Sequence, residues 1–265
     1  MIVHHQMADS SRFILIRVLQ TASLVALSMT AHPRESGKES INTFLTSQGF
    51  APAVRLKISE SDEAFSVLAT PGAVMLESTS CMPRSSGPTR FSGKRFSFES
   101  EDRGEWGGEL KVREGNLPPK ILLKGNVIDL VPLDKRLYVF IGSDHLSAGY
   151  GAVHVIENYD SRPEIHFVSQ LPGTPAVARL DPQWGGFVII SRQSISVLLP
   201  GSNTLKILMA NHAPLAGANS FLSFGPADML IGLCGGIAHV HFPWRQNAPP
   251  DPYDEIPIVR YWTRK

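Results

Sequence analysis

The sequence predicts an all-β protein assembled from a repeated four-stranded unit. Three observations carry that expectation. From about residue 50 onward, short β-branched and aromatic runs recur between clusters of Gly, Pro, Asn and Asp. Four valines that close matching runs, Val112, Val155, Val197 and Val240, lie 43, 42 and 43 residues apart. The composition fits as well: 43% hydrophobic residues can form a core, while 22 Gly and 20 Pro in 265 residues argue against a coiled coil or long helices.

Ahead of the repeats, residues 1–31 read as a signal peptide. Arg12 and Arg17 are followed by a short apolar stretch, Val18 to Ala31, that ends in small residues; Met7 is a second candidate start. The stretch is too short and too polar for a bilayer span, so no transmembrane segment is expected in the mature chain. Residues 32–49 are polar and contain Gly and Ser, and they read as a linker. The β domain is expected over residues 50–265.

Within that domain each valine run is the third strand of a unit. Gly108 to Val112, Gly151 to Val155, Ser194 to Val197 and Gly236 to Val240 occupy this place. Second strands precede them at Lys94–Phe98, Lys135–Val139, Phe187–Ile190 and Met229–Leu233. Fourth strands follow the first three of these units at Lys120–Leu123, Ile165–Val168 and Leu205–Leu208. Leading strands run over Val127–Leu130, Val177–Leu180 and Phe221–Phe224, each with a proline three residues beyond its polar member. Residues 53–78 add further strands, and residues 256–262 are expected to close the structure against them.

Four strands in roughly 40 to 45 residues is the length of one propeller blade. The chain resembles a β-propeller of four-stranded antiparallel blades, and looks most like propeller proteins found among exported bacterial chains. The favoured count is five blades, with four as the alternative; a sandwich or solenoid has the same strand count. The signature motifs of WD40 and kelch blades are absent in register.

The charges nearly cancel at +1, which excludes a global field for nucleic acid. Two cysteines exclude a four-Cys zinc ribbon, and whether Cys81 bonds Cys234 is left open. No nucleophile elbow, zincin helix, phosphate loop or EF-hand loop is present, and no cofactor is assigned. His239 and His241 alternate on one strand and His154 occupies the place of His239 in an earlier unit. No carboxylate keeps a matching register with them, so no metal site is assigned.

Two groups of residues remain as candidates. In the resembled fold the leading strands line a central channel, which places Asp129, Arg179 and Ser223 at equivalent channel positions. The second group lies between second and third strands, where residues 99–108 and 142–151 read as long polar loops against two residues in later units. There Trp106 and Tyr150 are candidate apolar anchors, with Asp102, Asp144 and His145 as polar contacts. The expected function is an exported, periplasmic or extracellular, non-enzymatic module that binds a protein or a small polar ligand through this loop face. The alternative is an exported hydrolase or lyase with its site at the channel mouth; no catalytic residue is assigned.

Overall fold

The computed structural model describes residues 38–54, 56, 63–70, 73–81, 89–103, 107–145, 148–211, 214–225, 227–243 and 256–264. The expected leader, residues 1–31, lies outside these. Among the described residues the chain forms one helix and nineteen strands in five antiparallel sheets.

Helix α1 spans Lys38–Ser47 within the segment expected to be a linker. Ile41 and Leu45, one turn apart, are both buried, and Phe44 packs beside them. The helix stops at Gly49, whose φ of 81° suits glycine, and whose N–H bonds the Thr46 carbonyl at 3.0 Å.

Three sheets repeat the same meander. They are β4 to β7 (Arg90–Ser92, Phe96–Asp102, Gly108–Glu114, Lys120–Lys124), β8 to β11 (Val127–Leu133, Arg136–His145, Ala148–Glu157, Glu164–Leu171) and β12 to β15 (Pro175–Asp181, Gly186–Ser191, Ser194–Leu199, Thr204–Ala210). A fourth comprises β16 to β19 (Ser220–Ser223, Asp228–Leu233, Gly236–His241, Ile258–Arg264), with β1 (Phe50–Ala53) added outside β19. The fifth is the hairpin of β2 (Glu63–Thr70) and β3 (Ala73–Ser80). The closing strand therefore pairs with residues 50–53, and not with the later strands of residues 53–78.

The four valines all fall on third strands, β6, β10, β14 and β18. Val155, Val197 and Val240 are buried, while Val112 is half-buried against the core it shares with β8 to β10. The period of the sequence is thus a period of strand order. Four apolar cores join the sheets in the order β4–β7, β8–β11, β12–β15, β16–β19 and β2–β3. Phe98 and Leu137 mark the first core, Tyr138 and Phe187 the second, Val188 and Met229 the third, and Val67 and Leu230 the fourth.

Polar contacts repeat along the same seams. Asp160 accepts the Lys94 N–H at 2.6 Å, and the Tyr138 hydroxyl reaches the Pro200 carbonyl at 3.3 Å. Trp184 Nε1 donates to Ser223 Oγ at 3.1 Å, and that hydroxyl donates in turn to Asp181. The Val67 N–H donates to Ser220 Oγ at 2.8 Å. The last seam is also covalent: Cys81 and Cys234, with Cα atoms 5.2 Å apart, form a disulfide that staples the end of β3 to the β17–β18 turn. No helix among the described residues is long and apolar enough to cross a membrane.

Candidate functional site

The hairpin β9–β10 is the longest among the described residues. Counted from the matching rungs Val155–Tyr138 and Val197–Val188, it runs seven residues to its last pair, Ala148–His145, whereas β13–β14 runs three. Four extra residues at about 3.3 Å each make it roughly 13 Å longer. The stretch 142–151, expected to be a loop, is therefore mostly strand. Its Gly and Ser content reads as loop, but the glycines serve packing. Gly142 and Gly151 face each other across the hairpin, and a Cβ on Gly151 would meet the Gly173 carbonyl at 2.2 Å.

The absent side chains let the β11–β12 connection lie across the hairpin. Thr174 Oγ1 there lies 2.9 Å from the Ser143 carbonyl and 3.1 Å from the Tyr150 carbonyl. One hydroxyl on both strands clasps the base of the overhang. At the clasp the Tyr150 side chain is exposed, the residue being 45% accessible.

The neighbouring hairpin β5–β6 is clasped in the same way by the β7–β8 connection. The Gly125 N–H bonds the Gly108 carbonyl at 2.7 Å, and a Cβ on Gly108 would meet Asn126 Oδ1 at 2.6 Å. Its outer surface carries a charge network. Glu101 takes Arg103 Nε on one oxygen at 3.0 Å and Lys111 Nζ on the other at 2.6 Å, with Glu109 3.6 to 3.7 Å from the same two cations. Hydrogen bonds from Arg103 and Lys111 hold the Glu101 carboxyl down at about 2.

Of the expected anchors, Tyr150 is thus an exposed side chain on a fixed hairpin, and Trp106 lies outside the described residues. Asp102 sits on the last rung of β5, opposite Gly108, and Asp144 and His145 on the last rungs of β9. The backbone so brings Asp144 and His145 to one hairpin end with Tyr150, and Asp102 to the matching end of the next sheet.

The three expected channel residues do not form one group. Arg179 is exposed and makes no ion pair among the described residues. Asp129 is half-buried, and one oxygen accepts the Leu130 N–H at 2.9 Å. Ser223 is engaged with Asp181 and Trp184, as described above.

A polar cluster that sequence reasoning missed lies on β17 and β18. Asp228 stands opposite His241 in the ladder, and its Oδ1 is 2.8 Å from both His241 Nδ1 and His239 Nε2. A carboxylate does keep register with these histidines, correcting the sequence expectation. An ionised carboxylate only accepts, so His239 carries its proton on Nε2 and His241 on Nδ1. That leaves His239 Nδ1 buried without a hydrogen-bond partner. Burial pushes the Asp228 carboxyl up, but hydrogen bonds and charge from both imidazoles outweigh it and hold the group below its ordinary value.

His154 repeats the place of His239 without its partner. The residue matching Asp228 there is the buried Leu137, and His154 packs edge-on to Phe167 instead. Burial pushes its imidazole pKa down. An Asp-held imidazole is the base half of a nucleophilic site, yet both histidines of the cluster are more than nine-tenths buried. Among the described residues no set of three His, Cys, Asp or Glu side chains is placed to hold a metal. The cluster is built to be buried.

No protein-family model matches the chain, and no curated protein matches it. The class that the fold defines is an antiparallel all-β protein of repeated four-stranded sheets.

Proposed function

We propose that the five sheets are blades of a propeller and that the protein is an exported binding module. It acts through the end of the molecule that carries the β5–β6 and β9–β10 hairpins. The observation that carries this reading is the β9–β10 overhang, roughly 13 Å longer than its β13–β14 counterpart, clasped at its base by Thr174 and presenting an exposed Tyr150. A rigid aromatic on a fixed element is the kind of residue that anchors an interface at small entropic cost. Asp102, Asp144 and His145, on the last rungs of β5 and β9, supply the further contacts. The partner is a protein or a small polar ligand. Export is supported by the Cys81–Cys234 bond, which suits an oxidising compartment.

Site-specific photo-crosslinking in cells tests this. A photoreactive residue at position 150 should give a discrete adduct, whereas the same group at the outer-strand position 206 should give none. Equal labelling at both positions, or none at 150, would show that this end is not the binding face. Sedimentation of the full chain in its reduced and oxidised forms, with small-angle scattering, tests the closed ring separately.

A further inference from the structure

The outer strands of the sheets share a second repeated feature. In β7, β11 and β15 one extra residue, Leu122, Val168 and Leu208 respectively, bulges out of the ladder with the preceding strand. The bulge falls at the same repeat position each time, after Leu110, Val153 and Ile195. Bulges on outermost strands break the regular row of N–H and C=O groups that would otherwise template another strand. The fourth sheet departs from this pattern. At the corresponding rung, Ala238–Tyr261 followed by His239–Arg260, the register of β18 with β19 is unbroken.

Strand β1 accounts for only part of that difference. It covers Tyr261 to Arg264, and its own open side is short and contains Pro52. It stops there, and the chain turns away at Val54, whose side chain is 99% exposed. Ile258, Val259 and Arg260 are left as a regular edge that no described strand covers.

The direction of the edge's hydrogen bonds follows from Pro52. Having no N–H, Pro52 opposite Trp262 marks a rung without hydrogen bonds, so Thr263 and Tyr261 bond toward β1. Alternation then aims the N–H and C=O of Val259 outward. Beside them is a cleft of about 290 Å³ walled by Asn42 of α1, Pro52, Val54, Arg260 and Trp262. Arg260 is exposed and has no ion-pair partner among the described residues. Asn42 Oδ1 and Trp262 Nε1, on residues of the cleft wall, are buried without a hydrogen-bond partner.

We propose that the uncovered edge of β19 is a strand-accepting site for an extended acidic peptide of a partner protein, seated in line with β1. A residue of that peptide exchanges both backbone hydrogen bonds with Val259. Its side chain falls on the face of Val259, which packs on the apolar core, and is small and apolar. The adjacent peptide residue lies opposite Arg260 and is Asp or Glu. This site lies on the outer rim and is independent of the hairpin end.

The test is fluorescence anisotropy of the full chain with labelled eight-residue peptides of alternating Glu and Val, or Lys and Val. The Glu peptide should bind saturably and the Lys peptide at least about tenfold more weakly. Arg260→Glu should reverse that order, with its melting temperature checked against the parent. N-methylating the peptide valines should abolish binding without any change to the protein. Absence of saturable binding, indifference to Arg260→Glu, or equal binding of the N-methylated peptide would each overturn the site. Sedimentation supplies the last outcome: self-association lost in Arg260→Glu would mean a second copy occupies the edge, and the acidic-peptide reading is wrong.

Discussion

Asp228 faces His241 across the β17–β18 ladder, and the same carboxylate oxygen that bonds His241 also bonds His239 two residues away. Both imidazoles and the carboxylate are buried in the face that meets β2, beside Leu230.

Removing the acceptor leaves two buried donors stranded. Asp228→Ala should therefore lower stability by about 3 kcal/mol. The denaturant midpoint measures this, and the loss should be larger than for His154→Ala, whose imidazole holds no carboxylate. A loss under about 1 kcal/mol would mean that water replaces the carboxylate.

The clasp on the long hairpin is a local device. Thr174→Val keeps the shape but removes the hydroxyl that meets the Ser143 and Tyr150 carbonyls. Global stability should fall by only about 1 kcal/mol, while amide exchange at residues 143–150 speeds up far more than elsewhere. Uniform exchange across the molecule would show that the hairpin is held by its ladder alone.

Reducing the Cys81–Cys234 bond, or replacing both residues by Ser, should cost about 2 to 4 kcal/mol. The loss should localise. Strands β2 and β3 lose exchange protection first, because the bond ties that hairpin to β17–β18, whereas β8 to β15 keep theirs.

The Glu101 network sets a direction with pH. Its folded-state pKa of about 2 lies below the ordinary 4.5, so its contribution is complete above about pH 4.5 and is lost as the pH falls toward 2. Asp228 is lowered in the same sense from 3.8. In urea titrations, the gap between the parent and Glu101→Gln should be present at pH 6 and vanish by pH 2. A gap that widens on acidification contradicts the ion network.

The repeat was legible because strand alternation and turn residues recur locally, so the valine spacing located all four third strands. Other features depend on register or on facing surfaces. The Asp228 contact exists only once β17 is placed beside β18 with Asp228 against His241. The glycines at 142 and 151 look like loop residues until the connection they admit is seen lying across them. Helix α1 did leave a signal, Ile41, Phe44 and Leu45 at helical spacing, but within so polar a window that it read as linker. Asp129 and Arg179 look equivalent in the sequence, but the ladders offset them by two residues: Arg179 faces Val188 and Ser223 faces Met229, whereas the matching Tyr138 faces Val131 and Asp129 faces Phe140.

The pairing of β1 with β19 bears on biosynthesis. Phe50 meets Arg264 and Ala53 meets Tyr261, so the first strand described finds its partner in the last strand described. The sheets β4–β7, β8–β11 and β12–β15 are successive meanders that can form as they leave the ribosome. Strand β1 and helix α1 must wait, with Ile41, Leu45 and Phe50 uncovered, until β19 arrives. Such long-range pairing is slow because the entropy of closing the loop is spent before any contact forms. Until then the segment carrying Ile41, Leu45 and Phe50 leaves apolar surface open to water, and β19 is the strand whose docking covers it.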